Sequence, residues 1–207
     1  KGFKFLRTQA KGVEGGMERK SFHGIIEENP YLNEDLVLIN ENTKISIYAG
    51  VESKMARYFT YNITLGYKNF KNLSLYINDS VDVSKFNLVY DNGNSGLFRT
   101  KAELYYSRIK KIKFGFVAQY DKYDMKNFTR AFHRPSFTGK FISKYKIKDN
   151  FHLTFDLYYL SGLFAYDYSN SEEVKLSNVT DLNIGAEYFV NQKFSLFGNF
   201  NNLLNKS

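Results

Sequence analysis

The sequence has no cysteine and no tryptophan, only 2 prolines in 207 residues, and no long apolar run. Missing cysteine excludes disulfides and thiolate metal sites. The missing apolar run excludes a membrane-spanning helix, which needs about 18–20 consecutive apolar residues. Scarce proline leaves extended segments uninterrupted. The chain starts at Lys1 with neither an initiator methionine nor a signal-like segment, so it is expected to be the interior of a longer precursor. Catalytic patterns are also wanting. The three histidines, His23, His133 and His152, are far apart in sequence, and there is neither a Gly-Lys-Ser/Thr loop nor a Gly-x-Ser-x-Gly elbow. The Asp79-Ser-Val-Asp82 run lacks the spacing, central glycine and terminal glutamate of a calcium loop and reads as a solvated turn. Glu172 and Glu173 are adjacent, so they point apart on an extended chain. Neither an enzyme nor a metal nor a cofactor is expected.

What the chain does have is 20 Phe and 17 Tyr, an aromatic load that favours strands. Its formal net charge is +8. Lysine and arginine are spread along the whole length rather than gathered into one patch, which argues against nucleic acid as a partner. Anionic headgroups, or an anionic partner or solute, are the better counterparts. Mean hydropathy is only −0.44 despite the aromatic content. A wall with one oily and one wet face accounts for both.

The alternation is clearest in the last hairpin. Leu182, Ile184, Ala186, Tyr188 and Val190 fall on one face and Asn183, Gly185 and Glu187 on the other. After a turn at Asn191 and Gln192, Phe194, Leu196, Gly198 and Phe200 alternate with Ser195, Asn199 and Asn201. Period two over about ten residues per arm is a strand signal, long enough to cross a bilayer at a tilt. The same pattern predicts strands over 44–52, 59–67, 97–107, 111–123, 136–147, 150–161, 181–190 and 194–201. Short connections at 53–56, 108–110, 148–149 and 191–192 alternate with long ones at 68–96, 124–135 and 162–180. Residues 1–43 read as an irregular extracellular loop segment, and 44–207 as a partial barrel.

Together these features predict an all-β, antiparallel, up-and-down transmembrane β-barrel, with about eight strands of a larger cylinder present. Bacterial outer-membrane barrels place short turns in the periplasm and long loops outside. By that rule the first strand begins outside and the last ends outside, so at least one further strand is expected at each end. The lumen-facing set is Glu52, Arg99, Lys101, Glu103, Lys113, Asp121, Lys140, Lys144, Asp156 and Glu187. These form cross-strand ion pairs that stiffen the wall, or contact a plug or pore solute. The lipid-facing set includes Phe59, Phe114, Phe116, Phe141, Phe155, Leu157, Ile184 and Leu196. Tyr67, Tyr106, Tyr145 and Tyr159, near strand ends, suit interfacial girdles. The competing architecture is a soluble sandwich, but its strands would be about five or six residues long.

Some runs also carry a family resemblance. They are Glu41-Asn-Thr-Lys44 into Ile45-Ser-Ile-Tyr-Ala-Gly-Val51, then Lys85-Phe-Asn-Leu-Val-Tyr-Asp-Asn92, and above all Asp181-Leu-Asn-Ile-Gly-Ala-Glu-Tyr188 followed by Phe194-Ser-Leu-Phe-Gly-Asn-Phe-Asn-Asn-Leu-Leu-Asn-Lys206. This resembles the C-terminal barrel region of TonB-dependent-receptor-like outer-membrane proteins of the Bacteroidota, over residues 40–206. The resemblance implies an outer-membrane location, contact with outer-membrane lipid, and solute binding and uptake. It also implies a plug and an N-terminal region reaching TonB, neither of which lies in this sequence. Relatives of this kind also serve as non-transporting subunits of envelope assemblies, beside other outer-membrane barrels or surface lipoproteins.

Overall fold

The computed structural model describes residues 9–11, 16–18, 31–33, 37–55, 58–82, 84–109, 111–168 and 171–204. All regular structure among them is β. The strands are β1 (Gln9–Lys11), β2 (Gly16–Glu18), β3 (Glu41–Met55), β4 (Phe59–Asn78), β5 (Phe86–Ile109), β6 (Ile112–Asp124), β7 (Phe137–Lys148), β8 (Phe151–Ser161), β9 (Phe164–Asp167), β10 (Glu172–Lys175), β11 (Val179–Phe189) and β12 (Ser195–Phe200). One antiparallel sheet runs in the order β1-β3-β4-β5-β6-β7-β8-β11-β12, with β2 also on β3, while β9 and β10 form a separate hairpin. Its eight long strands, β3 to β8 with β11 and β12, follow one another as an up-and-down meander. That is the all-β antiparallel architecture expected from the alternation.

Two expected loops are different in the structure. Residues 68–96 are no long connection: β4 and β5 run on past the rest of the sheet and pair residue by residue up to Asn78 opposite Phe86. The pattern loses phase at a register shift between Lys71 and Leu73, where Asn72 adopts φ 59°. The expected turn at residues 91–94 is part of β5, with Asp91 opposite Leu73 and Asn94 opposite Lys71. The segment 162–180 likewise contains the β9–β10 hairpin and the start of β11. Within 1–43, β1 and β2 pair with β3, which already begins at Glu41, and Leu32 bridges Phe86. The remainder of that segment lies outside the described residues.

Burial shows where the chain packs on itself. The buried apolar side chains among the described residues are Leu32, Phe70, Leu73, Leu75, Ile77, Leu97, Phe132 and Ala165. They gather at the long-connection end, where the extended β4–β5 hairpin meets the β6–β7 connection and β9. Lower in the sheet, Ile63, Leu65, Phe116 and Leu157 are 46%, 47%, 48% and 37% exposed. A soluble sandwich covers its apolar face with a second layer. Here the described residues supply none.

Candidate functional site: a two-faced wall

Residues directly opposite in an antiparallel ladder share a face. Registers therefore carry a face assignment across the whole sheet. One row runs Tyr61, Leu104, Phe116, Phe141, Leu157, Leu182. Another runs Ser143, Phe155, Ile184, Phe200, with Phe114 opposite Ser143. Phe59 joins this face opposite Tyr106, and Leu196 joins it opposite Tyr188. All eight residues expected to meet lipid thus stand on one face.

Aromatic rings edge that face at both ends. At the short-turn end Phe59 lies 4.8 Å from Tyr106, which stacks at 4.8 Å on Phe114. At the other end Tyr67 faces Phe98 across the ladder, Tyr120 faces Phe137, and Phe137 meets Tyr159 at 6.1 Å. From Phe59 to Tyr67 the strand rises about 26 Å, or about 20 Å along a membrane normal once tilted. Between the two rows a groove of about 1210 Å³ crosses Ala102, Ala118 and Gly139, bounded by Phe116, Phe141 and Leu157.

The opposite face holds all ten residues expected to line a lumen. One row runs Glu52, Asn62, Glu103, Val117, Lys140, Tyr158. Towards the long-connection end this face is internally paired. Arg99 donates from Nε and Nη2 to both oxygens of Asp121, each at 2.7 Å, and Gln119 donates to the same carboxylate at 3.0 Å. Lys101 lies 2.8 Å from Glu103, which also accepts from Asn62 at 2.9 Å. Towards the short-turn end pairing thins out. Lys140 sits 4.6 Å above the Tyr158 ring. Glu187 accepts from the Ser195 hydroxyl at 3.3 Å. Asp156 stands opposite Ile142 and Asn183. Lys113 and Lys144 stand opposite each other. Phe197 also lies on this face, opposite Glu187, a position the alternation did not assign.

Beyond the aromatic row, the cap at the long-connection end carries its own electrostatics. Asp79 accepts the backbone N–H groups of Val81 and Asp82, each at 2.8 Å, and the side-chain amides of Asn87 and Asn33. Those hydrogen bonds, led by the Asp82 and Val81 amides, draw its carboxyl down to about 2. This is the solvated turn expected at 79–82. The Ser84 hydroxyl and amide hold Asp82 below the usual range. Arg130 reaches Glu173 at 3.2 Å and lies 4.2 Å over the Phe164 ring, tying the β9–β10 hairpin to the β6–β7 connection. His133, 5.0 Å edge-on to Phe86 and 3.2 Å from Asn78 Oδ1, is pushed below its ordinary value by burial. Nothing in the sequence pattern singled out this role for it. No cluster of three or more metal-ligating side chains occurs among the described residues.

No protein-family model and no curated protein matches the chain. Solved structures do. A ferric enterobactin receptor mutant (PfeA) from Pseudomonas aeruginosa superposes with a TM-score of 0.58 at 15% identity, covering 80% of this chain and 26% of that one. The copper transporter OprC gives 0.59 at 11% identity, over 82% and 26%. The FrpB iron transporter from Neisseria meningitidis gives 0.58 at 13%, over 84% and 28%. The sheet therefore has the fold of a segment of TonB-dependent receptor barrels, and it spans about a quarter of each. These neighbours are outer-membrane receptors and transporters rather than enzymes.

Proposed function

We propose that this chain is a stretch of wall from an outer-membrane barrel of the TonB-dependent receptor type, taking part in the binding and uptake of a solute. The observation that carries this is the single apolar face, in register across eight strands, edged by aromatic rings and covered by nothing in the chain. A hydrocarbon layer about 25 Å thick between two interfaces fits such a face. Outer-membrane lipid is then the first partner, and the groove over Ala102, Ala118 and Gly139 takes acyl chains. TonB would be reached through a region outside this sequence, and the Asn-Asn-Leu-Leu-Asn-Lys run supports a Bacteroidota-type member. A second reading, a non-transporting subunit beside other barrels or surface lipoproteins, draws on the cap. Its side chains pack on one another through Leu73, Leu75 and Phe132, as a docking platform would.

The lack of cysteine in these residues makes single-cysteine labelling clean. Cysteine at 155 and 157 is expected to react with a bilayer-confined maleimide, and cysteine at 154 and 156 with a water-soluble one. Equal water reactivity at all four positions in native membranes would overturn the proposal. Solute uptake by the intact protein separates a receptor from a subunit, which would instead co-purify stoichiometrically with its neighbours.

A further inference from the structure

Lys113 and Lys144 are direct cross-strand partners on the polar face. Like charges so placed repel. Both are exposed, and among the described residues neither has an ion pair or a hydrogen bond. Their strands, β6 and β7, already have neighbours on both sides, so no additional strand can bring a carboxylate alongside. The row continues from Lys144 through Thr154, Gly185 and Asn199, all uncharged. A side chain at Gly185 would collide with the Thr154 hydroxyl, so the wall is held open there. Two cavities of about 280 and 230 Å³ share Lys144 and Thr154. His152 lines the second, and both its ring nitrogens are buried without a hydrogen-bond partner. Phe197 lines it too, 77% exposed on the polar side.

We propose that this patch is a docking surface for an acidic polypeptide segment lying against the inner wall at the short-turn end. Its carboxylates would meet Lys113 and Lys144, its backbone or side chain would satisfy His152, and an apolar residue would cover Phe197. The contrast with the other half of the same face is the argument. Arg99 and Lys101 there have their carboxylates within the sheet, whereas Lys113 and Lys144 await theirs. A small anion would answer the charge but leave Phe197 bare, so a polypeptide fits better. The proposal rests on the reading that the polar face lines an interior.

Zero-length carbodiimide coupling of the intact protein in isolated outer membranes tests it. The expected product, found by mass spectrometry, is an amide between Lys113 or Lys144 Nζ and an Asp or Glu of a peptide outside residues 1–207. Coupling only to Asp156 or Glu187, or none, overturns the proposal. So does protection of both lysines from acetylation by added inorganic phosphate without any cross-linked peptide, which would make the occupant a small anion. Lys113→Gln is expected to lower the thermal midpoint through loss of the partner, whereas relief of bare repulsion would raise it and overturn docking. If both lysines react with a bilayer-confined amine reagent and not a water-soluble one, the barrel reading itself fails, a result distinct from the others.

Discussion

Leu73 lies directly across the β4–β5 ladder from Asp91, and neither has any exposed surface. A carboxylate so placed must be fully hydrogen-bonded. Asp91 accepts the Ser95 hydroxyl and the backbone N–H groups of Lys126 and Asn127, the latter two at 2.7 Å each. It thereby pulls the chain after β6 across the end of the sheet, where Tyr123 and Met125 pack on Phe70, Leu73 and Leu97. Asp91→Ala strands two backbone donors, at a cost of about 1–3 kcal/mol each if they stay buried. The expected outcome is release of residues 125–135, read as faster proteolysis there, while the lower sheet keeps its hydrogen-exchange protection. Asp91→Asn, which keeps an acceptor, should give a smaller effect.

The cap is expected to loosen in two acid steps of the same sign. Burial depresses His133, so the folded cap binds its proton more weakly than the unfolded chain does. Its stability is present above the unfolded value of about 6.5 and is lost as pH falls through the lowered folded value. Asp79, drawn down to about 2 from 3.8, contributes stability present above 3.8 and lost as pH falls through about 2. Amide exchange at His133, whose N–H donates to Phe164 O at 2.9 Å, should speed up between pH 7 and 5 beyond the intrinsic pH dependence. Exchange at Val81 and Asp82 should respond only below pH 4. His133→Gln should abolish the first step and leave the second.

These relationships also mark how far the sequence could be read. The row through Phe141, Leu157 and Leu182 was legible because period two is a local property, and each strand announces its own faces. Residues 68–96 were not, because Asn72 and its bulge break the phase. Residues 91–94 have turn composition yet sit in β5 against β4. The hydrogen bonds of Asp91 to residues 35 and 36 positions away have no local signature. Nor does the opposition of Lys113 and Lys144, since facing follows from register between strands. The face of each was legible, their mutual position was not.

The paired part of the polar face should tolerate loss of its members unequally. Arg99 grips a carboxylate only 7% exposed with two parallel hydrogen bonds, whereas Lys101 makes one contact to Glu103, which is 16% exposed and also held by Asn62. Arg99→Met leaves Asp121 with Gln119 alone and should cost about 1–3 kcal/mol, a value reduced by the partial exposure of the pair. Lys101→Met should cost under about 1 kcal/mol. Denaturant unfolding of the refolded protein in detergent or lipid reads the difference. Equal costs would mean that the bidentate geometry adds nothing.

The faces differ most sharply at two adjacent positions. Asp156 and Leu157 are consecutive on β8, and Leu157 stands opposite Phe141 and Leu182 on the apolar face. Arginine placed near the middle of a lipid-facing strand costs about 2–4 kcal/mol, because its charge must leave water or drag water in with it. On a wet interior face the same side chain stays hydrated. Leu157→Arg is therefore expected to destabilise the protein by about 2–4 kcal/mol in bilayer-based unfolding. Asp156→Arg should change it by under about 1 kcal/mol, set by nearby lysines rather than desolvation. The penalty at 157 should shrink for substitutions closer to the aromatic rows, at Tyr159 or Leu153, because the depth in the hydrocarbon falls. A penalty of the same size at 156 and 157 would mean that both side chains are packed against protein, and the two-faced wall would have to be abandoned.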